Sequence, residues 1–341
     1  MKRLKFLWAV MLSILAVGAS SCVHQWPNPE YIDHNVLLTV HCDTEWLPDY
    51  EMTLSRADES ADVKVRYRFV VFPAGYTYSP VADFTVYKTD LSRQDFTQEL
   101  SLPPGDYDVW AWSDICDADG SSLFYDDSDL AAITFKTPYA GDSNEKDAFR
   151  GMTSFSVERT VDEGPSVEAR IDLSRPLARY IIIANDLEYF LEKEVARGRG
   201  ASADLSAELG STMAPMYAHL ADYTVKIVYP MYLPWIFNNY QNNPFDSATG
   251  VSFECKMSQL SETEAQIALD YVMVNGEESS VQMQVEIYDA TGELVSRSNV
   301  ITAPTKRDRT TIIYGKFLTT LTSDGVGIDP GFDGDYNIEI K

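Results

Sequence analysis

The dominant pattern along this chain is alternation of apolar and polar positions. Val63, Val65, Tyr67, Phe69 and Val71 fall on every second position, with Lys64, Arg66 and Arg68 between them. A period of two predicts a β-strand with one buried face and one polar face. Val36, Leu38, Val40 and Cys42 show the same spacing upstream, and residues 84–87 and 96–100 continue it. Leu102-Pro103-Pro104-Gly105-Asp106-Tyr107 reads as a turn, because proline presets φ and glycine accepts positive φ. The strand that follows places Tyr107, Val109 and Ala111 on one face and Trp110 and Trp112 on the other.

The second half begins after Gly164-Pro165. Strands are predicted over 167–173 and 179–184, the latter fully buried because Ile181, Ile182 and Ile183 are consecutive. One helix follows: Asn185 or Asp186 caps it, Leu187, Phe190, Leu191 and Val195 form its apolar stripe, and Gly198 ends it. Further strands are predicted over 223–229, 251–257, 267–274, 281–288, 294–301 and 310–318, with turns at Asn275-Gly276 and Thr291-Gly292. Many short strands and one helix predict a mainly β chain of two Ig-like, Greek-key sandwiches and argue against a parallel α/β sheet. The expected organisation is a leader over 1–21, a tether over 22–33, sandwiches over 34–162 and 166–318, and a tail strand over 319–341.

The leader adds chemistry that the strand pattern does not. Lys2, Arg3 and Lys5 precede an apolar run from Phe6 to Val17, too short to cross a bilayer, which takes roughly 20 residues. Gly18-Ala19-Ser20-Ser21 then leads to Cys22, the arrangement a lipoprotein signal peptidase needs, although Ala19 stands where leucine is usual. Acyl chains on Cys22, palmitate among them, would bury about 0.8 kcal/mol per methylene and hold the mature protein on the outer membrane, facing the cell surface.

The formal net charge of −25 excludes nucleic acid as a partner, since a polyanion is repelled and the one dense cationic cluster is Lys306-Arg307-Asp308-Arg309. With Cys22 acylated, Cys42, Cys116 and Cys255 remain, open to a Cys42–Cys116 pair or to three free thiols. No cysteine or histidine spacing suits a structural zinc, and no cofactor is expected.

Several short motifs in fixed order carry a family resemblance. They are Ser21-Cys22-Val23-His24, the Leu-Pro-Pro-Gly-Asp-Tyr turn before Val109-Trp110-Ala111-Trp112, Lys146-Asp147-Ala148-Phe149, Asp270-Tyr271-Val272-Met273-Val274-Asn275-Gly276, and Arg309-Thr310-Thr311 through Gly315-Lys316-Phe317-Leu318. Together they resemble the FimB-type, fimbrillin-related lipoproteins of Bacteroidetes. The resemblance implies two transthyretin-like sandwiches and a role as anchor or accessory subunit of surface fimbriae, with fimbrial subunits or other envelope proteins as partners. It also implies strand exchange, for which Phe332, Tyr336, Ile338 and Ile340 of the tail are the candidate donor side chains. Pairing of that segment within its own second sandwich is the expectation that competes with donation. Proteolytic maturation after Arg56 is a further trait of the related subunits, but an anchor should resist a cut that separates Cys22 from the body.

Catalytic signatures are missing from the sequence: there is no Gly-x-Ser-x-Gly elbow and no phosphate loop, and an enzyme is not expected. Asp114, Asp117, Asp119, Asp126, Asp127 and Asp129 resemble part of a calcium loop without its closing glutamate, so a solvated acidic loop is expected there. The alternative function is surface glycan binding. Residues 231–240 form an aromatic, Asn-containing loop in which Tyr232, Trp235 and Tyr240 are the candidate platform, and Trp110 with Trp112 is a second aromatic pair. Core packing is the expectation that competes at both places.

Overall fold

A computed structural model of the chain describes residues 34–42, 63–158, 167–196, 220–319, 327–329 and 338–339. The first half supplies β1 (His34–Cys42), β2 (Lys64–Pro73), β3 (Ala82–Lys88), β4 (Phe96–Leu102), β5 (Gly105–Cys116), β6 (Tyr125–Asp126), β7 (Ile133–Phe135), β8 (Phe149–Val157) and β9 (Val167–Leu173). The second half opens with β10 (Leu177–Ala184) and the helix α1 (Leu187–Ala196). It continues with β11 (Thr224–Tyr229), β12 (Leu233–Asn238), β13 (Asn243–Ala248), β14 (Val251–Cys255), β15 (Ser258–Gln259), β16 (Ala265–Met273) and β17 (Glu278–Tyr288). The last strands are β18 (Leu294–Arg297), β19 (Ile301–Lys306), β20 (Thr310–Gly315), β21 (Gly327–Asp329) and β22 (Ile338–Glu339).

The fold is mainly β, built as sandwiches with one short helix among the described residues. In the first sandwich an outer sheet, ordered β4-β1-β9, faces an inner sheet ordered β3-β2-β5-β8. Val36, Leu38 and Val40 of β1 meet Val65, Tyr67, Phe69 and Val71 of β2 in the core between them. In the second, an inner sheet ordered β15-β16-β10-β20-β21-β22 faces an outer sheet of β14-β11-β17-β18, with β19 also on β17. The stripe Leu187, Phe190 and Leu191 of α1 joins this core.

The two inner sheets then pack on each other. Val70, Phe72, Trp110 and Trp112 on the back of the first share a third core with Leu177, Ile181, Ile183, Leu269, Tyr271 and Met273 of the second, joined by Tyr125, Leu130, Ile133, Phe135 and Phe237 of the segments around the junction sheet. This is why β2 is not half buried as its alternation predicts. Its back face is covered by the third core and by the segment after β6, where Arg66, 9% exposed, pairs with Asp114 and Asp127. Trp110 and Trp112 are 2% and 0% exposed, so they are core side chains and no surface platform. The sheet of β10 is buried on both sides, as its run of isoleucines predicts.

A small junction sheet, ordered β13-β12-β7-β6, is shared by the two halves: Ile236 and Phe237 of β12 pair with Thr134 and Ile133 of β7. Here the aromatic loop expected over 231–240 is the first strand of a β-hairpin, paired along its length with β13 and, at Ile236 and Phe237, with β7. Residues 294–301, expected as one strand, divide into β18 and β19, which pair with opposite ends of β17. The expected turns carry Gly276 at φ 75° and Gly292 at φ 81°. Asp186 precedes the helix as expected, but its carboxylate accepts from the backbone N–H of Leu318 and Thr319, tying the start of α1 to the chain beyond β20. Cys42, Cys116 and Cys255 are free, so the Cys42–Cys116 pair is not formed.

Candidate functional site

Two places gather unusual side chains: the buried joint between the sandwiches and a groove beside the junction sheet. The joint is centred on Asp270, in the middle of β16 and wholly buried. Its Oδ1 accepts from Lys146 Nζ at 2.6 Å and from the Tyr271 N–H at 2.8 Å. Its Oδ2 accepts from the hydroxyls of Tyr139 at 2.7 Å and Tyr229 at 2.5 Å, and the Tyr180 hydroxyl lies 2.5 Å from that of Tyr229. Lys146 also lies over the rings of Tyr139 at 3.8 Å and Phe135 at 4.5 Å. Burial pulls the Lys146 ammonium down to about 8, against the opposing pull of Asp270. Burial likewise raises the Tyr139, Tyr180 and Tyr229 phenols well above their ordinary range, so they stay protonated donors.

Other polar contacts cross the same joint. Arg175, in the link from β9 to β10, holds Asp147 through two nitrogens at 2.6 and 2.9 Å and also pairs with Asp308. Asn239, just past β12, donates to the Ala111 carbonyl at 3.0 Å and accepts from Arg150 Nε at 2.9 Å. Lys146, Tyr139, Arg150 and Asn239 are spent on partners from the other sandwich, Arg175 joins from the link, and Tyr229 and Tyr180 complete the network from within the second sandwich. The chemistry is that of a fastening, since a buried charge is tolerated only when paired and hydrogen-bonded. Lys146 and Asp270 both stand in motifs that carried the family resemblance, yet sequence reasoning assigned them no role. The available signal was a lone carboxylate inside a strand otherwise made for burial.

The groove, about 570 Å³, lies between the β12–β13 hairpin and the start of β17. Tyr232 and Phe245, 68% and 55% exposed, present rings there. Asp246, Ser247, Asn275, Ser279 and Ser280 supply hydroxyl, amide and carboxylate groups. The Asn275 amide is held in place by Asn243, whose Nδ2 donates to Asn275 Oδ1 at 2.8 Å while its Oδ1 accepts from the Gly276 N–H at 2.7 Å.

The predicted glycan platform does not stay together. Tyr232 lines the groove, whereas Trp235 is half-buried against Phe135 and Tyr139, at ring separations of 5.5 and 5.7 Å, and Tyr240 lies 5.4 Å from the Trp110 ring. Phe245 and Asn275 were missed, because nothing local brings residue 275 to residue 245.

The other expected sites are dispersed. Cys22, Arg56, Phe332, Tyr336 and Ile340 lie outside the described residues. Ile338 lies in β22, opposite Ile328 of β21, which in turn borders β20 of the chain's own sheet. In the acidic loop, Asp114 accepts from Arg66 at 2.9 and 3.1 Å, and Asp127 lies 2.8 Å from the same guanidinium. Burial opposes the charge on Arg66, but the two carboxylates outweigh it and raise its affinity for the proton. Among the described residues no group of three or more His, Cys, Asp or Glu is placed to hold a metal ion, and no helix is long and apolar enough to cross a membrane.

A family model matches residues 29–341, from the tether through the tail. The chain belongs to DUF6562, a family of unknown function. No curated protein matches it. Solved structures similar to it include a protein of Bacteroides thetaiotaomicron provisionally described as polysaccharide-binding, 14% identical with a TM-score of 0.46, covering 90% of this chain and 98% of its own. The fimbrial anchor protein Mfa2 from Porphyromonas gingivalis is 10% identical with a TM-score of 0.45, covering 90% and 100%. A fimbrial assembly protein from Parabacteroides distasonis is 10% identical with a TM-score of 0.44, covering 91% and 100%. At these identities the likeness is one of general fold. The matching family model is DUF6562 and not a FimB-type one, while the neighbours found are Bacteroidetes fimbrial and adhesin proteins.

Proposed function

We propose that this member of DUF6562 is an envelope lipoprotein, moored through Cys22, that anchors or accompanies surface fimbriae. The observation that carries this reading is the seat of β1. It follows the 22–33 tether directly and lies at the centre of the outer sheet of the first sandwich. His34 to Val40 pair antiparallel with Leu102 to Phe96 of β4, and Val36 to Cys42 pair parallel with Val167 to Leu173 of β9. A pull on the tether therefore loads hydrogen bonds along both edges of β1 at once, in shear, while Val36, Leu38 and Val40 stay locked in the core. The fastening around Asp270 passes the load to the second sandwich. A body held this way suits a mooring that must keep its shape under tension. The motif order shared with FimB-type lipoproteins supports the same reading, as does the leader ending at Cys22.

The test is the native protein in its own envelope. Labelled fatty acid should be incorporated into the wild type and not into Cys22→Ser, and a tagged copy solubilised from outer membrane in detergent should bring fimbrial subunits with it. Recovery of the native molecule as a water-soluble species with an unmodified amino terminus sinks the anchoring reading, and purification free of any fimbrial subunit sinks the assembly reading.

A further inference from the structure

We infer that the groove between the β12–β13 hairpin and the start of β17 is a binding site for a neutral polysaccharide chain. This reading stands apart from the anchoring role, since it needs neither the lipid nor a fimbrial subunit.

Three observations select the occupant. First, Tyr232, just before β12, and Phe245 of β13 are large rings left in water at one open groove, whereas Trp235 and Phe237 of β12 are packed. Exposed apolar surface rimmed by polar groups marks a contact site, and a pyranose ring carries an apolar C–H face that lies flat on an aromatic ring. Second, the rim is made of hydroxyl and amide groups, from Ser247, Asn275, Ser279 and Ser280, the kind that exchange hydrogen bonds with sugar hydroxyls. The Asn243 bonds set the orientation of the Asn275 amide before any ligand arrives. Third, among the described residues the only charged one lining the groove is Asp246, and the chain as a whole has a formal net charge of −25. Sulfated, uronic or phosphorylated chains would enter against that field, whereas a neutral chain meets no penalty and offers hydroxyls to the carboxylate.

A peptide strand is the competing occupant, because β13 is the edge of the junction sheet. That edge is blunted. Pro244 has no N–H to offer, and the register against β12 shifts twice, between Pro234 and Ile236 and between Ile236 and Phe237. Prolines and bulges of this kind are what keep edge strands from accepting another strand. What remains is the side-chain surface, which fits a glycan.

The experiment is native affinity electrophoresis of the full chain, solubilised in nonionic detergent, through gels containing dextran, starch, xylan, glucomannan or levan, with heparin and polygalacturonate as acidic counterparts. Retardation is expected with at least one neutral polysaccharide and with neither acidic one, unchanged by added salt because no ion pair is formed. The double variant Tyr232→Ala/Phe245→Ala should weaken it at least tenfold. Tyr189→Ala, which removes another exposed ring on α1, should leave it intact. Both altered side chains of the double variant are exposed, and an unchanged melting curve confirms that its fold is kept. Lack of retardation by every neutral polysaccharide, retardation by the acidic ones alone, or full binding by the double variant each overturns the assignment.

Discussion

The two sandwiches follow one plan. In each outer or inner sheet that begins a sandwich, the first strand is flanked by one antiparallel and one parallel partner: β4-β1-β9 in the first, β16-β10-β20 in the second. The facing sheets match as well, β3-β2-β5-β8 against β14-β11-β17 with β18 and β19. What differs is what has been added. The first sandwich carries β6–β7 after β5, and the second carries β12–β13 after β11; these additions come from unequal places in the plan, yet they pair with each other. The second sandwich also has α1 after its first strand and β21–β22 beyond β20, so its inner sheet is twice as wide as the outer sheet of the first. The repeated frame is generic hydrophobic architecture. The molecule's particular features, its joint and its groove, form where the additions meet frame strands: Tyr139 and Lys146 meet Asp270 of β16, and the β12–β13 hairpin meets the start of β17.

The joint can be loosened at its centre, Asp270, which stands on the frame strand β16. Asp270→Ala removes the acceptor for Lys146, Tyr139 and Tyr229 and leaves a buried ammonium unpaired, at a cost of about 3–5 kcal/mol. Calorimetry should then show the single melting transition broadened or split; one sharp transition at the wild-type temperature would mean the joint does not couple the sandwiches. Phe237→Ala takes a fully buried ring from the third core and should cost about 3 kcal/mol, with faster amide exchange in β7 and β12 than in β1 or β10. An equal loss of protection everywhere would show that the junction sheet is no separate unit.

Gly151→Ala acts inside the first frame instead. A Cβ there would stand 2.5 Å from Leu173 Cδ2 and 2.9 Å from the Asp172 carbonyl oxygen, where β8 passes β9. Part of that clash is with backbone, so the substitution should cost about 2 kcal/mol in urea denaturation, with exchange affected in β8 and β9 before the second sandwich. The smallest effect concerns pH. Lys146 binds its proton less tightly in the folded chain than in the unfolded one, so its penalty is fully present below about pH 8 and lifts as the pH rises toward the ordinary lysine value. Wild type should therefore gain up to about 2 kcal/mol relative to Lys146→Met between about pH 7 and about pH 9.5. A constant difference between the two over that window would place the ammonium's proton affinity at its ordinary value.

Much of the frame was legible because alternation reports burial directly. The β1 and β2 patterns predict the residues that meet in the first core, and three consecutive isoleucines predict a strand covered on both sides. Where the reading failed, a partner distant in sequence had decided the matter. Residues 231–240 look like a loop because Pro234, Asn238 and Asn239 are turn formers, and pairing with β13 on one edge and β7 on the other makes a strand of 233–238. Asp186 reads as a helix cap, but Leu318 and Thr319 claim its oxygens. For the candidate groove, Tyr232 was found by its aromatic neighbourhood. Trp235 and Tyr240 have equal claims on sequence, and packing against Tyr139 and Trp110 removes them from the groove.

The sequence by itself determined the class of fold, the position of most strands, the turn glycines and the acidic charge, since each depends on local periodicity, local φ or simple counting. Tertiary structure alone decided that both faces of β2 and β5 would be largely covered, which aromatics stay exposed, and that Lys146 would meet Asp270. Those outcomes depend on contacts between residues far apart in sequence, 48 positions for Arg66 with Asp114 and 124 for Lys146 with Asp270, which short-range pattern does not encode. The third core exists only because two sandwiches, each able to close on itself, turn apolar backs toward one another.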